Sequence, residues 1–206
     1  MQSELYEQGA DARRAAWALA ILFLGTTAAL LLPGEEALFV NWYQDLATIA
    51  VCFFALFILG RGHIRTSFAQ LCSATQLGLS VGVGFVAFAI SWAYVSGLEL
   101  LGATQGTIEL AGLSLLSIVI VTPLIEEWTY RGVAWKAAQA IGGERFTLIL
   151  TAAIFALAHG LNGGLVLEFP HRFIDGLLFG WLRLKSDSLL PGIVAHALLN
   201  GLAVNF

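Results

Sequence analysis

Apolar residues in this chain come in long blocks separated by short polar interruptions. Blocks approaching the roughly 20 residues needed to cross a bilayer occupy 15–32, 46–60, 77–97 and 108 to about 140. Shorter ones follow at 146–159, about 169–184 and 189–204. The fourth block is too long for one crossing and carries Arg131 and Lys136 near its end, so it is expected to span the bilayer and then emerge. The pattern predicts an all-α fold: a polytopic transmembrane helical bundle of about seven spans, forming one membrane-embedded domain over residues 1–206.

Composition agrees with that solvent. The chain is 58% hydrophobic and only 12% charged, against roughly 25% charged in soluble domains. Its apolar runs exceed any core that a domain of this size encloses. The net charge of −4 and the scattered basic residues leave no basic stripe for nucleic acid. Cys52 and Cys72 show no metal-ligand spacing and indicate no disulfide framework. The first block follows Arg13 and Arg14 and is expected to be retained as a span, because Pro33-Gly34-Glu35-Glu36 lacks a small-x-small cleavage pattern.

Charge also orients the bundle. With a cytoplasmic N-terminus, Arg13, Arg14, Arg61, Arg65, Arg131, Lys136, Arg145, Arg183 and Lys185 fall toward the cytoplasm, and Arg172 alone falls outside. Nine of the ten basic residues thus obey the positive-inside rule and place the C-terminus externally. Short loops point to a prokaryotic plasma membrane. Two GxxxG spacings, Gly78 to Gly82 and Gly176 to Gly180, are expected to allow close helix approach in the third and sixth spans.

The chemistry-bearing residues lie in the second half, which forms a catalytic core over 108–206. In the run Thr122-Pro-Leu-Ile-Glu-Glu-Trp-Thr-Tyr-Arg-Gly132, two adjacent carboxylates interrupt an apolar helix. An acidic residue at the centre of a membrane helix costs about 2.5 to 3.5 kcal/mol, so it persists there in service of a function. Residues four apart share a helix face, which pairs Glu127 with Arg131 and turns Glu126 about 100° away toward another neighbour. Glu126 is then free to act as a general base. His159 ends the fifth block, and His196 and Asn200 share a face of the seventh. At 1.5 Å per residue from the inner-surface markers, Glu126 lies about 15 Å deep, His159 about 21 Å, His196 about 14 Å and Asn200 about 20 Å. Three separate helices therefore bring their polar groups to a common layer.

Other polar residues receive plainer readings. His63 belongs to a surface turn with Arg61 and Arg65, Arg172 and Asp175 form an ion pair at a helix entrance after Pro170, and Trp128 packs.

The motifs EEWTYR at 126–131, FALAH at 155–159 and HALLN at 196–200, in that order, resemble the CPBP family of CAAX-prenyl-protease and bacteriocin-processing membrane proteins. The likeness covers about residues 120 to 205. It implies a glutamic-type intramembrane endopeptidase without a metal or other cofactor, acting on a membrane-associated peptide or protein. In that scheme Glu126 and His159 activate water, His196 and Asn200 donate to the oxyanion, and Glu127 and Arg131 support them. Two alternatives stay open: a proton-coupled transporter using Glu126 and His159 as a relay, and a zinc protease with Glu126, His159 and His196 as ligands.

Overall fold

The computed structural model describes residues 2–30, 40–60, 73–102, 115–163 and 165–204. The Arg61/His63/Arg65 turn, Cys72, Pro33 to Glu36 and the start of the fourth block at Ile108 lie outside the described residues. What is described is all-helical, with no strand among those residues.

Helix α1 (Gln2–Leu30) begins well upstream of the first apolar block, and α2 (Val40–Leu59) precedes the second by several residues. Helix α3 (Ala74–Leu100) opens on a reciprocal cap: Ser73 Oγ accepts from the Gln76 amide, and Gln76 Oε1 accepts from the Ser73 amide. Both donors would otherwise be orphans of the first turn. Gly60, at φ +92°, closes α2 by donating its amide to the Leu56 carbonyl.

The fourth block is a broken helix, α4 (117–139), made of π-helical Ser117–Val121, α-helical Thr122–Glu127, π-helical Trp128–Ala134 and α-helical Trp135–Gln139. Helices α5 (Glu144–Gly163), α6 (Leu165–Ser186) and α7 (Leu190–Ala203) complete the described chain. Pro170 does not open α6, as the sequence suggested, but lies inside it, so Arg172 and Asp175 sit in the second and third turns rather than at an entrance.

Two helices, Ala74–Leu100 and Glu144–Leu161, are long and apolar enough by themselves to cross a membrane, and Gln44–Leu59 and Leu190–Ala203 are shorter apolar helices. The other expected spans have physical reasons for failing that test. Helix α6 carries Glu168, Arg172, Asp175, Arg183 and Lys185, and α4 is divided into short pieces. The outer surface is nonetheless strongly apolar: Trp17, Leu24, Phe53, Phe54, Phe57, Phe85, Trp92 and Ile149 are exposed. Such a surface suits lipid far better than water.

Buried side chains form two cores. One joins α1 (Ala15, Ala18, Leu22), α2 (Cys52, Ala55, Leu56), α4 (Tyr130, Val133, Ala134) and α5 (Phe155, Ala158). The other joins α3 (Val83, Ala87), α6 (Phe179, Leu182) and α7 (Ala195, Leu199). Helix α6 also packs closely on α5. A Cβ on Gly176 would stand 2.9 Å from the Ala152 Cα, and one on Gly180 would meet Leu148. That GxxxG is a real crossing. Among the described residues a Cβ on Gly78 or Gly82 would meet nothing within 4 Å, so the corresponding close approach for α3 is not seen there. The glycine that α3 uses is Gly84, whose Cβ would press on the Ala195 carbonyl of α7 at 2.8 Å.

Candidate active site

The acidic pair lies in the short α-helical piece of α4 between two π-helical stretches, a distortion that recurs at functional sites. Its first cause is Pro123. The Thr122 amide donates to Ser117 rather than to Ile118, and the next residue, Pro123, has no amide to offer. The Ile118 carbonyl is thus abandoned by its own helix. Asn200 of α7 takes it, donating from Nδ2 at 2.9 Å.

Glu127 is wholly buried and accepts from Arg131 Nη1 on Oε1 at 3.0 Å, one turn along α4. The expected pairing is present, but it has a second half that the sequence did not suggest. The same oxygen accepts from His196 Nδ1 of α7 at 3.1 Å. Its other oxygen, Oε2, faces the first turn of α7, where a Cβ on Gly192 would stand 2.7 Å away. A carboxylate at a helix N-terminus is favourably placed against the macrodipole.

Arg131 is as deeply buried as its partner. Its Nη2 donates to the Gly176 carbonyl of α6 at 3.1 Å, and its guanidinium lies over Phe155 at 4.5 Å and Phe179 at 5.4 Å. Arg131 and Glu127 together therefore tie α4 to α5, α6 and α7.

Glu126 is about one-fifth exposed and lies between the two histidines. Its Oε1 lies 3.6 Å from His159 Nε2, and its Oε2 lies 3.6 Å from His196 Nε2. His159 is similarly accessible, whereas His196 is buried. The His159 Nδ1 is 2.9 Å from the Phe155 carbonyl. A carbonyl only accepts, so Nδ1 carries the proton and Nε2 of the neutral ring presents a lone pair. Two acceptors, Nε2 and a carboxylate oxygen, then face each other at 3.6 Å, too far for a direct hydrogen bond but close enough for one water beside them to reach both.

The structure thus brings Glu126, Glu127, Arg131, His159 and His196 into one contiguous cluster. Asn200 joins α4 at Ile118, one turn further along α7 than His196. Arg172 binds Glu168 more closely, at 3.0 Å, than the Asp175 it was expected to pair with, at 3.9 Å. Buried Asp175 also accepts from Ser91 of α3 at 3.2 Å. Trp128 packs edge-on against Phe53 at 5.5 Å, as expected. Among the described residues no three His, Cys, Asp or Glu side chains are placed to hold one metal ion.

Missed by the sequence reading were the bond from His196 to Glu127, the role of Gly192 and the ring of Phe179 beneath His196. Only the Pro191-Gly192 pair, a marker of a helix start, hinted at the second.

Residues 109–202, a little under half of the chain, match the family described as type II CAAX prenyl endopeptidase Rce1-like. The three motifs lie inside the matched stretch. The family is one of CAAX-type membrane proteases, and the apolar helices Ala74–Leu100 and Glu144–Leu161 accord with that class. No curated protein and no solved structure matches the chain.

Proposed function

We propose that this chain is an intramembrane endopeptidase that hydrolyses a peptide bond of a membrane-associated protein or peptide by water activated between Glu126 and His159, without a metal. The observation that carries the reading is the confrontation of Glu126 Oε1 with the lone pair of His159 Nε2 at 3.6 Å, in a cluster otherwise buried and ion-paired. A water seated beside the pair, within reach of both, gives one hydrogen to each acceptor. Its oxygen attacks the scissile carbonyl carbon as one proton passes to the Glu126/His159 pair, and that proton is later returned to the departing amine.

The attack leaves an oxyanion, which His196 is placed to receive. Its Nδ1 donates to Glu127, so for Nε2 to donate as well the ring carries both protons, with the Glu127 carboxylate as counter-charge. Preorganised donation of this kind is often worth about 3 to 4 kcal/mol. Asn200 has a second amide hydrogen beyond the one given to Ile118, and we assign it to the same oxyanion.

The remaining apolar helices complete a bundle of about seven spans in this reading. We place the N-terminus in the cytoplasm and the C-terminus outside, in a prokaryotic plasma membrane; the basic residues flanking the apolar blocks support that orientation, although Arg131 is buried in the site and does not count toward it. The activity by which the matched family is described points first to a prenylated C-terminal peptide as substrate.

The test is cleavage, in proteoliposomes, of a farnesylated peptide ending in Cys-aliphatic-aliphatic-X. Wild type is expected to cut it with a strong chelator present, and Glu126→Ala and His159→Ala are expected to be inactive while retaining helical content. Chelator-sensitive activity restored by zinc would replace this mechanism with a metal one. Flux that depends on Glu126 without cleavage would make the chain a transporter.

A further inference from the structure

His196 touches both carboxylates, with Nδ1 bound to Glu127 and Nε2 directed at Glu126. One hydrogen bond at Nδ1 fixes one atom of the imidazole and leaves the ring free to turn about it. The direction of Nε2 needs a second constraint, and no other hydrogen bond to the ring supplies it among the described residues.

That constraint is a stack. The rings of Phe179 and His196 lie with centroids 4.9 Å apart and planes inclined by 21°. Phe155 meets the imidazole almost perpendicularly, at 6.0 Å and 87°. Phe179 is wholly buried, so its ring has little freedom. Its stretch of α6 is fastened beside it, because the Gly176 carbonyl, three residues earlier, accepts from Arg131 Nη2 at 3.1 Å. The guanidinium of Arg131 stands 5.4 Å from the Phe179 centroid. One phenyl ring thus serves the cation that fixes Glu127 and the imidazole that Glu127 holds.

We infer that Phe179, which lies outside the three motifs, is a positioning residue for the reaction: its face sets the plane of His196 and so aims Nε2 at the reacting centre. The inference rests on the peptidase reading for its kinetic consequence, but the geometry it asserts is independent of the substrate. An aliphatic side chain of similar bulk fills the space without defining a plane. Misplacement of a reacting group by an ångström costs up to about a hundredfold in rate.

The experiment compares Phe179→Leu with Phe179→Tyr, which retains a ring face. One readout is the ¹⁵N spectrum of histidine-labelled protein in micelles, with the His196 signals assigned by their loss in His196→Ala. The other is hydrolysis of the farnesylated peptide. Phe179→Leu is expected to shift the His196 Nδ1 signal away from its hydrogen-bonded position and to lower kcat about tenfold, with KM changed less than about twofold. Phe179→Tyr is expected to preserve both. The Leu effect on rate should vanish in a His196→Ala background.

A folded Phe179→Leu protein with unchanged His196 signals and kcat overturns the inference. If the Leu variant does not fold, Phe179→Met is read by the same two measurements, and a Phe179→Tyr protein that folds yet loses the His196 signature also overturns it. A wild-type protein that leaves the peptide uncut, while the leucine or methionine variant disturbs His196, counts against the peptidase reading and supports the positioning one.

Discussion

Glu127 and His196, 69 residues apart, are joined by a 3.1 Å hydrogen bond from Nδ1 to the same carboxylate oxygen that accepts from Arg131. The acid that looks purely structural in the sequence therefore has two duties: it neutralises a buried cation and orients an imidazole of the site. Removing it leaves Arg131 uncompensated where no water reaches. Glu127→Ala is expected to destabilise the protein by about 3 to 5 kcal/mol and to abolish turnover. Glu127→Gln keeps the shape and should lose less stability while still losing most activity. Denaturant unfolding in detergent, paired with peptide hydrolysis, separates the two effects.

Gly192 is the place where α7 yields to Glu127. A methyl group there would stand 2.7 Å from Glu127 Oε2. Carboxylate ends usually move aside cheaply, but this one is anchored through Oε1 by Arg131 and His196. Gly192→Ala is expected to cost about 1 to 3 kcal/mol, as overpacking does, and to lower kcat at least about tenfold by displacing His196. Thermal unfolding and kinetics on the purified variant check both parts.

Asn200 closes the gap that Pro123 opens in α4. Asn200→Ala leaves the Ile118 carbonyl without a donor, at about 1 to 3 kcal/mol, and removes an oxyanion donor in the proposed mechanism. The expected result is a fall in kcat larger than any change in KM, together with reduced stability. Asn200→Asp should be worse on both measures, because an ionised carboxylate cannot donate to a carbonyl. A stability loss with unchanged kcat would confine Asn200 to its structural role.

Much of the site is legible in the sequence because its members lie close within single helices. The Glu127–Arg131 pair follows from four-residue spacing, and the approach of Glu126 to His159 fits its turn of about 100° from Glu127, although both carboxylates also reach His196. Counting residues inward from charged ends gives Glu126 and His196 like depths and puts His159 roughly 6 Å deeper, yet these three do meet in the structure. What escapes is set between helices. Nothing local pairs Glu127 with His196, Asn200 with Ile118, or Phe179 with either ring. The two π-helical stretches also escape, since they shift the phase of α4 without changing its apolar pattern. Among the described residues two helices satisfy length and hydropathy alone; charged residues exclude α6, breaks exclude α4, and Gln44–Leu59 and Leu190–Ala203 are apolar but short.

Glycine spacing was the least reliable guide, and it yields a direct test. Among the described residues a Cβ on Gly82 meets nothing, so Gly82→Ala should be neutral or stabilising by about 0.5 to 1 kcal/mol, the usual helix-interior gain over glycine. Gly176→Ala meets the Ala152 backbone at 2.9 Å and disturbs the carbonyl that holds Arg131. It should lower the unfolding temperature and activity together. Equal effects from the two substitutions would contradict the α5–α6 crossing described above.

The central claim is that Glu126, between His159 and His196, activates water for peptide hydrolysis. It is tested most directly by comparing membrane-peptide profiles of cells producing wild-type or Glu126→Ala protein at matched levels. The account predicts a membrane-associated protein or peptide that is shortened in the wild-type cells and accumulates uncut with Glu126→Ala, a difference on the order of 10² to 10⁴ in processing rate. Processing of that substrate at the wild-type rate by the Glu126→Ala protein would contradict it.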